Sequence, residues 1–256
     1  MKTLNFLSRI AVFLPAVLLS GCDRHTDQTL LPPDNARRVT VAVRVPEGIT
    51  LLPMQMLYRS ERCKSKDHNS SNEAYEIRGF NGFKQAFRPQ GSGEIWQQNI
   101  AIDGVGPCQW KLNSLRVSFK IADSNPLVKG KEVIETSYIF DFDDYGLSDG
   151  YGTGRAKEAS GDLDLKTDFF PMVTYFSDND ISLKFFGGDT GPEKWRRRFR
   201  LHDTQNILIE PIVHLDKVVT LEPPDKTGNW MAMYPDGSNE EIPYIYPDYN
   251  KLLSMK

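Results

Sequence analysis

Arg38-Val39-Thr40-Val41-Ala42-Val43-Arg44-Val45 decides the fold class. Valines recur at every second position, so Val39, Val41, Val43 and Val45 fall on one face of an extended chain and Arg38, Thr40, Ala42 and Arg44 on the other. That period of two marks a half-buried β-strand. Working outward, Leu115, Val117, Phe119 and Ile121 repeat it against Arg116, Ser118 and Lys120, within a strand expected from Trp110 to Ile121. Further strands are expected at Met54 to Arg59, Ala74 to Arg78, Glu94 to Ile102 and Val133 to Phe142, each bounded by Gly, Pro, Asn or Asp.

Several short strands without long helical patterns between them imply an all-β, antiparallel β-sandwich. Residues 38–142 are expected to form one immunoglobulin-like unit. Cys63 and Cys108 are expected to join in a disulfide across its middle, with Trp110 packed nearby. The resemblance is architectural: in immunoglobulin domains the tryptophan lies between the two cysteines, whereas Trp110 follows the second.

Residues 143–160 read as a Gly/Asp-rich connector. Asp141, Asp143, Asp144 and Asp149 among Gly146, Gly150, Gly152 and Gly154 suggest a calcium loop, since hard cations take clustered carboxylates on a tightly turning chain. The spacing fails at Tyr145 and Gly152, where an EF-hand requires an oxygen ligand and a glutamate, so no metal is expected. Residues 161–256 read as a second β-rich region, either a small domain or an extension of the first sandwich. Its strands are expected at Phe169 to Phe176, at Ile181 to Phe186 and through Ile207 to Leu221, with a weak helix at Glu193 to Arg198 and an aromatic, proline-rich tail.

The first residues carry a different signal. Lys2 and Arg9 precede the short apolar run Ile10 to Leu19, which is interrupted by Pro15 and falls below the ~20 residues a spanning helix needs. This pattern reads as an export signal over residues 1–21. Leu18-Leu19-Ser20-Gly21-Cys22 resembles the bacterial lipobox. Membership of that family implies cleavage before Cys22, diacylglyceryl transfer to its sulfur and acylation of the new amino terminus. Two or more acyl chains anchor a protein stably. Asp23 resembles the signal that retains enteric lipoproteins in the inner membrane, which favours that membrane over the outer one and places the rest of the chain in the periplasm. Residues 22–37, polar and turn-rich around Pro32-Pro33-Asp34-Asn35, are expected to be a lipidated tether.

Cleavage there leaves 235 residues with 29 basic and 34 acidic side chains. This mildly acidic balance argues against nucleic acid, which calls for a basic stripe. Catalytic signatures are missing from the sequence: there is no Gly-x-Ser-x-Gly elbow, no His-Glu-x-x-His and no phosphate-cradling glycine loop. His25, His68, His202 and His214 are scattered, and His202-Asp203 are sequence neighbours whose side chains point apart on a strand. Neither enzyme activity nor a cofactor is expected.

Two segments read as protein-binding. Lys194-Trp195-Arg196-Arg197-Arg198-Phe199-Arg200 places five cations around two aromatics; Trp195, Arg196, Arg197 and Arg198 would meet an acidic partner or anionic lipid heads. The alternative for this segment is a solvated strand whose Trp195 and Phe199 face the core. In the tail, Trp230, Tyr244 and Tyr246 are residues that interfaces favour, the alternative being a tail packed across the domain. A lipid-anchored, acidic β protein of this kind resembles, in general character, the immunity lipoproteins of type VI secretion systems. That resemblance implies inhibition of a secreted toxin, such as a phospholipase, as the function. An envelope-assembly or secretion-system accessory lipoprotein is the alternative.

Overall fold

A computed structural model describes residues 26–91, 93–143, 156–178, 180–188 and 197–256. In chain order the strands are β1 (Arg38–Arg44), β2 (Ile49–Leu51), β3 (Met54–His68), β4 (Ala74–Gln85), β5 (Arg88–Gln90) and β6 (Ile95–Ala101). There follow β7 (Asp103–Val105), β8 (Trp110–Ile121), β9 (Glu132–Val133), β10 (Thr136–Asp141), β11 (Lys157–Ser160) and β12 (Leu163–Tyr175). The last six are β13 (Ile181–Gly187), β14 (Arg198–His202), β15 (Asn206–Val213), β16 (Val219–Glu222), β17 (Trp230–Met233) and β18 (Asn239–Ile242). A 3-10 turn at Pro126–Val128 and the short helix α1 (Tyr249–Leu253) are the helical elements among the described residues.

The all-β sandwich expected from the sequence is what forms. One sheet has ten strands, ordered β18-β17-β16-β12-β15-β1-β6-β5, with β13 beside β12 and β9 beside β13. The other has eight, ordered β11-β14-β10-β8-β3-β4, with β2 and β7 both paired to β8. Both sheets are mixed. β1 is antiparallel to β6 but parallel to β15, and β10 is antiparallel to β8 but parallel to β14. Parallel neighbours need long crossovers, and here those crossovers carry strands of the second half in beside strands of the first. Strands of the region after 156 thus join both sheets beside strands of residues 38–142. The connector expected at 143–160 ends in β11, which pairs with β14; residues 144–155 lie outside the described ones.

The core sits between the sheets. Val39, Val41 and Val43 are fully buried, as their alternation requires. Phe119 of one sheet meets Phe169 and Phe185 of the other, with ring centroids 5.2 and 5.9 Å apart. Two hydrogen bonds stitch the layers: Thr136 Oγ1 donates to Phe185 O (3.0 Å), and Tyr138 Oη to Thr167 Oγ1 (2.9 Å). Each such aromatic contributes about 1.5–3 kcal/mol by leaving water.

β12 is covered on both faces from Phe169 to Thr174. Phe169 and Val173 face the main core, while Phe170 and Met172 join a second cluster with Val219, Leu221, Ala232, Tyr234, Ile242 and Leu252. The C-terminal tail supplies that cover. Asp248 caps α1 by accepting from the backbone N–H groups of Asn250 and Lys251, which aims Leu252 and Tyr249 at the sheet.

The amino-terminal segment is docked as well. Leu31 N donates to Gly104 O (2.8 Å), Trp110 Nε1 to Asp27 O (3.1 Å) and Asn81 Nδ2 to Gln28 O (2.7 Å). Gly106 is required there, since a Cβ on it would lie 2.1 Å from Thr29 O. Residues 27–31 are thus part of the sandwich and not the free tether expected from their polarity: the carbonyls of Asp27 and Gln28 accept from the buried side chains of Trp110 and Asn81.

Candidate binding surface

The cationic segment divides. Trp195, Arg196 and most of the helix expected at 193–198 lie outside the described residues, while Arg198 opens strand β14. Arg197 donates from Nε to Ser137 O (3.0 Å) and from Nη1 to Gly187 O, with its guanidinium 5.6 Å from the centre of the Phe169 ring. Arg198 is buried and its Nε lies 2.6 Å from Asp141 Oδ2. Arg200 reaches Glu158 at 3.4 Å. The described cations of this segment are therefore engaged inside the protein. The reason is register: β14 lies parallel to β10 with Ile139 opposite Arg198 and Asp141 opposite Arg200, so Arg198 reaches Asp141 along the diagonal on the same face of the sheet. Asp141 is accordingly an ion-pair partner in the core. Asp143 accepts from Asn113 Nδ2 and lies 3.6 Å from Arg78.

The tail residues differ among themselves. Trp230 is half-buried on β17 and meets Phe176 edge to face at 6.1 Å. Tyr246 is half-buried against the second cluster, whereas Tyr244 is 57% exposed. Of the described residues expected to bind a partner, Tyr244 alone stands clear in solvent.

Two of the histidines have partners in space. His202 Nε2 lies 2.7 Å from Glu158, not against its neighbour Asp203. His214 Nε2 lies 2.7 Å from Asp168, with its ring stacked on Phe170. Lys256 reaches the other Asp168 oxygen at 3.1 Å. Burial pulls the Asp168 carboxyl upward, but the hydrogen bonds and charges of His214 and Lys256 outweigh it and hold it below the ordinary aspartate value. This group ties the end of the chain to β12. Among the described residues no three or more of His, Cys, Asp and Glu are placed to hold a metal ion.

The most prominent exposed feature was not expected from the sequence. β8 begins at Trp110, so beyond the Arg59–Lys111 pair β3 and β4 run on as a ribbon of two strands. Residues 61–68 and 74–76 of this ribbon are exposed on nearly all sides. A two-stranded ribbon is marginal in water, and this one is clamped at its base. The Cys63–Cys108 disulfide joins it to the chain entering β8. Four residues of β3, Glu61 to Lys64, arch over Arg78 alone, since Ser60 pairs with Gly79 and Ser65 with Ile77. Ser60 Oγ holds the arch, accepting from the N–H groups of Arg62 and Cys63 and donating to Cys108 O. Three exposed aromatics lie along β4: Tyr75, Phe80 and Phe83, which are 46%, 54% and 36% accessible. Phe83 stacks on the buried Tyr58 at 5.8 Å. The ribbon carries no apolar alternation; the expected strand at Ala74 to Arg78 and the paired cysteines were its traces in the sequence.

No protein-family profile, curated protein or solved structure matches the chain. The lipobox, with Cys22 and Asp23, lies outside the described residues, and no described helix is long and apolar enough to cross a membrane.

Proposed function

We propose that the chain is a lipid-anchored binding protein facing the periplasm, most specifically an immunity protein that inhibits an antibacterial toxin. The observation that carries this reading is the braced β3–β4 ribbon, a rigid projection of the kind that enters a cleft. Pre-organisation by the disulfide and the Ser60 arch lowers the ordering cost of binding. Cys22, acylated, would supply the anchor, and Asp23 would keep it in the inner membrane. Five residue steps separate Cys22 from the docked Asp27, a reach of at most about 17 Å, so the body would stand close to the surface that a phospholipase attacks. The inhibition calls for no cofactor.

The test asks whether a secreted hydrolase is encoded beside the chain and, with that hydrolase as the probe, measures one-to-one binding and hydrolase activity together. Inhibition by the parent chain, lost when His68, Tyr75 and Glu76 are replaced by alanine, is the expected result. Full activity of the hydrolase at saturating chain would overturn the immunity reading. Unchanged inhibition by the triple variant would move the site off the ribbon. The free edge of β4 favours a second reading, an envelope-assembly or secretion-accessory role in which a strand of the machinery adds to the sheet. Specific binding to envelope machinery and to no hydrolase would select it.

A further inference from the structure

β4 is the last strand of its sheet, with β3 on one side. Among the described residues no backbone bond outside the strand ladder involves any residue from Ala74 to Gln85. Exposed edges are usually short, interrupted by proline or otherwise guarded. This one is twelve residues long, has no proline and carries Phe80, 54% exposed, near its middle. Its outward face, opposite Gln55, Leu57 and Arg59 of β3, consists of Ala74, Glu76, Arg78, Phe80, Gly82 and Lys84.

We infer that β4 pairs antiparallel with β4 of a second copy of this chain, with Phe80 on the two-fold axis, joining two eight-stranded sheets into one. The charge pattern selects both the occupant and the register. With Phe80 opposite itself, Glu76 faces Lys84 of the second copy and Lys84 faces its Glu76, while each Arg78 lies beside a Gly82 that leaves room for it. On the inner face the same register sets Ile77 against Phe83. Moving the axis to Asn81 would oppose Arg78 to Lys84 twice, and moving it to Arg78 would oppose that cation to itself. Glu76 now lies 3.4 Å from Lys64, an exposed pair whose exchange for Lys84 costs little. An isologous contact of this type closes after two copies, and anchoring both on one membrane would raise their effective concentration. This inference stands apart from the identity of any toxin.

The experiment uses the full chain carrying Cys22→Ser, so that no lipid is attached, and sedimentation velocity over a concentration series. A monomer–dimer equilibrium is expected. Glu76→Lys and Lys84→Glu should each weaken it by about tenfold or more, and the double swap should restore it. Phe80→Cys should give a disulfide-linked dimer in air, whereas Gly82→Cys, whose opposite is Arg78, should not. Glu76, Phe80 and Lys84 are exposed and a Cβ on Gly82 would meet nothing closer than 3.8 Å, and circular dichroism of each variant checks that the fold is kept. A monomer at every concentration, or a dimer indifferent to the swaps, overturns the inference.

Discussion

The carbonyl oxygen of Cys63 lies 1.7 Å from the point a Cβ on residue 79 would occupy, so the arch at the base of the ribbon closes only over glycine. The obstacle is backbone, not the movable end of a side chain, and the arch is fixed on its other side by the disulfide. Gly79→Ala should therefore cost about 3 kcal/mol of folding free energy. Gly82→Ala is the control, since its Cβ would meet nothing closer than 3.8 Å. Urea denaturation compares the two; equal midpoints would mean that the arch is not held as described.

Reduction of Cys63–Cys108 frees a covalent link spanning 45 positions in sequence. On the chain-entropy model the bridge is worth about 4 kcal/mol. Among the described residues no third strand pairs with the ribbon beyond Arg59, whereas the sandwich keeps its aromatic core. Replacement of both cysteines by alanine should lower the overall stability and raise hydrogen exchange first at residues 61–78. Uniform acceleration across β1, β8 and β12 instead would show that the bridge braces the body and not the ribbon.

These two features mark where the sequence was legible. Alternation gave β1 and β8, because each has one face on the core and one away from it, and the paired cysteines gave the bridge. β3 was expected to stop at Arg59 but continues to His68, since a strand exposed on both faces carries no period. The opposite case is β12, where Phe169 to Thr174 is buried on both faces and the tail supplies the outer cover. A strand with Phe199 on the core was one of the two readings of this segment, and Phe199 does pack on Phe140, but nothing local shows that β14 inserts beside β10, so the partners of the arginines of 197–200 were not legible. Their partners come from as far as 60 residues away.

The carboxyl at Asp168 makes the tail latch sensitive to acid. Its folded value is depressed, so the stability it adds is present above the unfolded value, about pH 4, and is lost as pH falls through the folded one. Asp168→Asn removes the contribution at neutral pH. The gap in unfolding free energy between parent and variant should thus be widest near pH 7 and shrink below about pH 4. A gap that stays constant down to the acid limit would show that His214 and Lys256 do not favour the ionised form.

Arg198 offers the sharpest separation of a structural role from a binding one. Its guanidinium and the Asp141 carboxylate are both almost wholly shielded and meet at 2.6 Å. Arg198→Leu leaves a buried carboxylate without that counter-charge and should cost about 3–5 kcal/mol. Asp141→Leu should also destabilise the fold, by removing the carboxylate that Arg198 meets at 2.6 Å. Leucine at both positions, diagonal neighbours on β10 and β14, removes both charges together, so the double variant should recover much of the loss, giving a large coupling energy in a double-mutant cycle. A surface cation reserved for a partner would behave otherwise, because its removal would leave the unfolding midpoint unchanged and alter binding alone. Additive single losses would show that the pair is not the unit that holds β14 against β10.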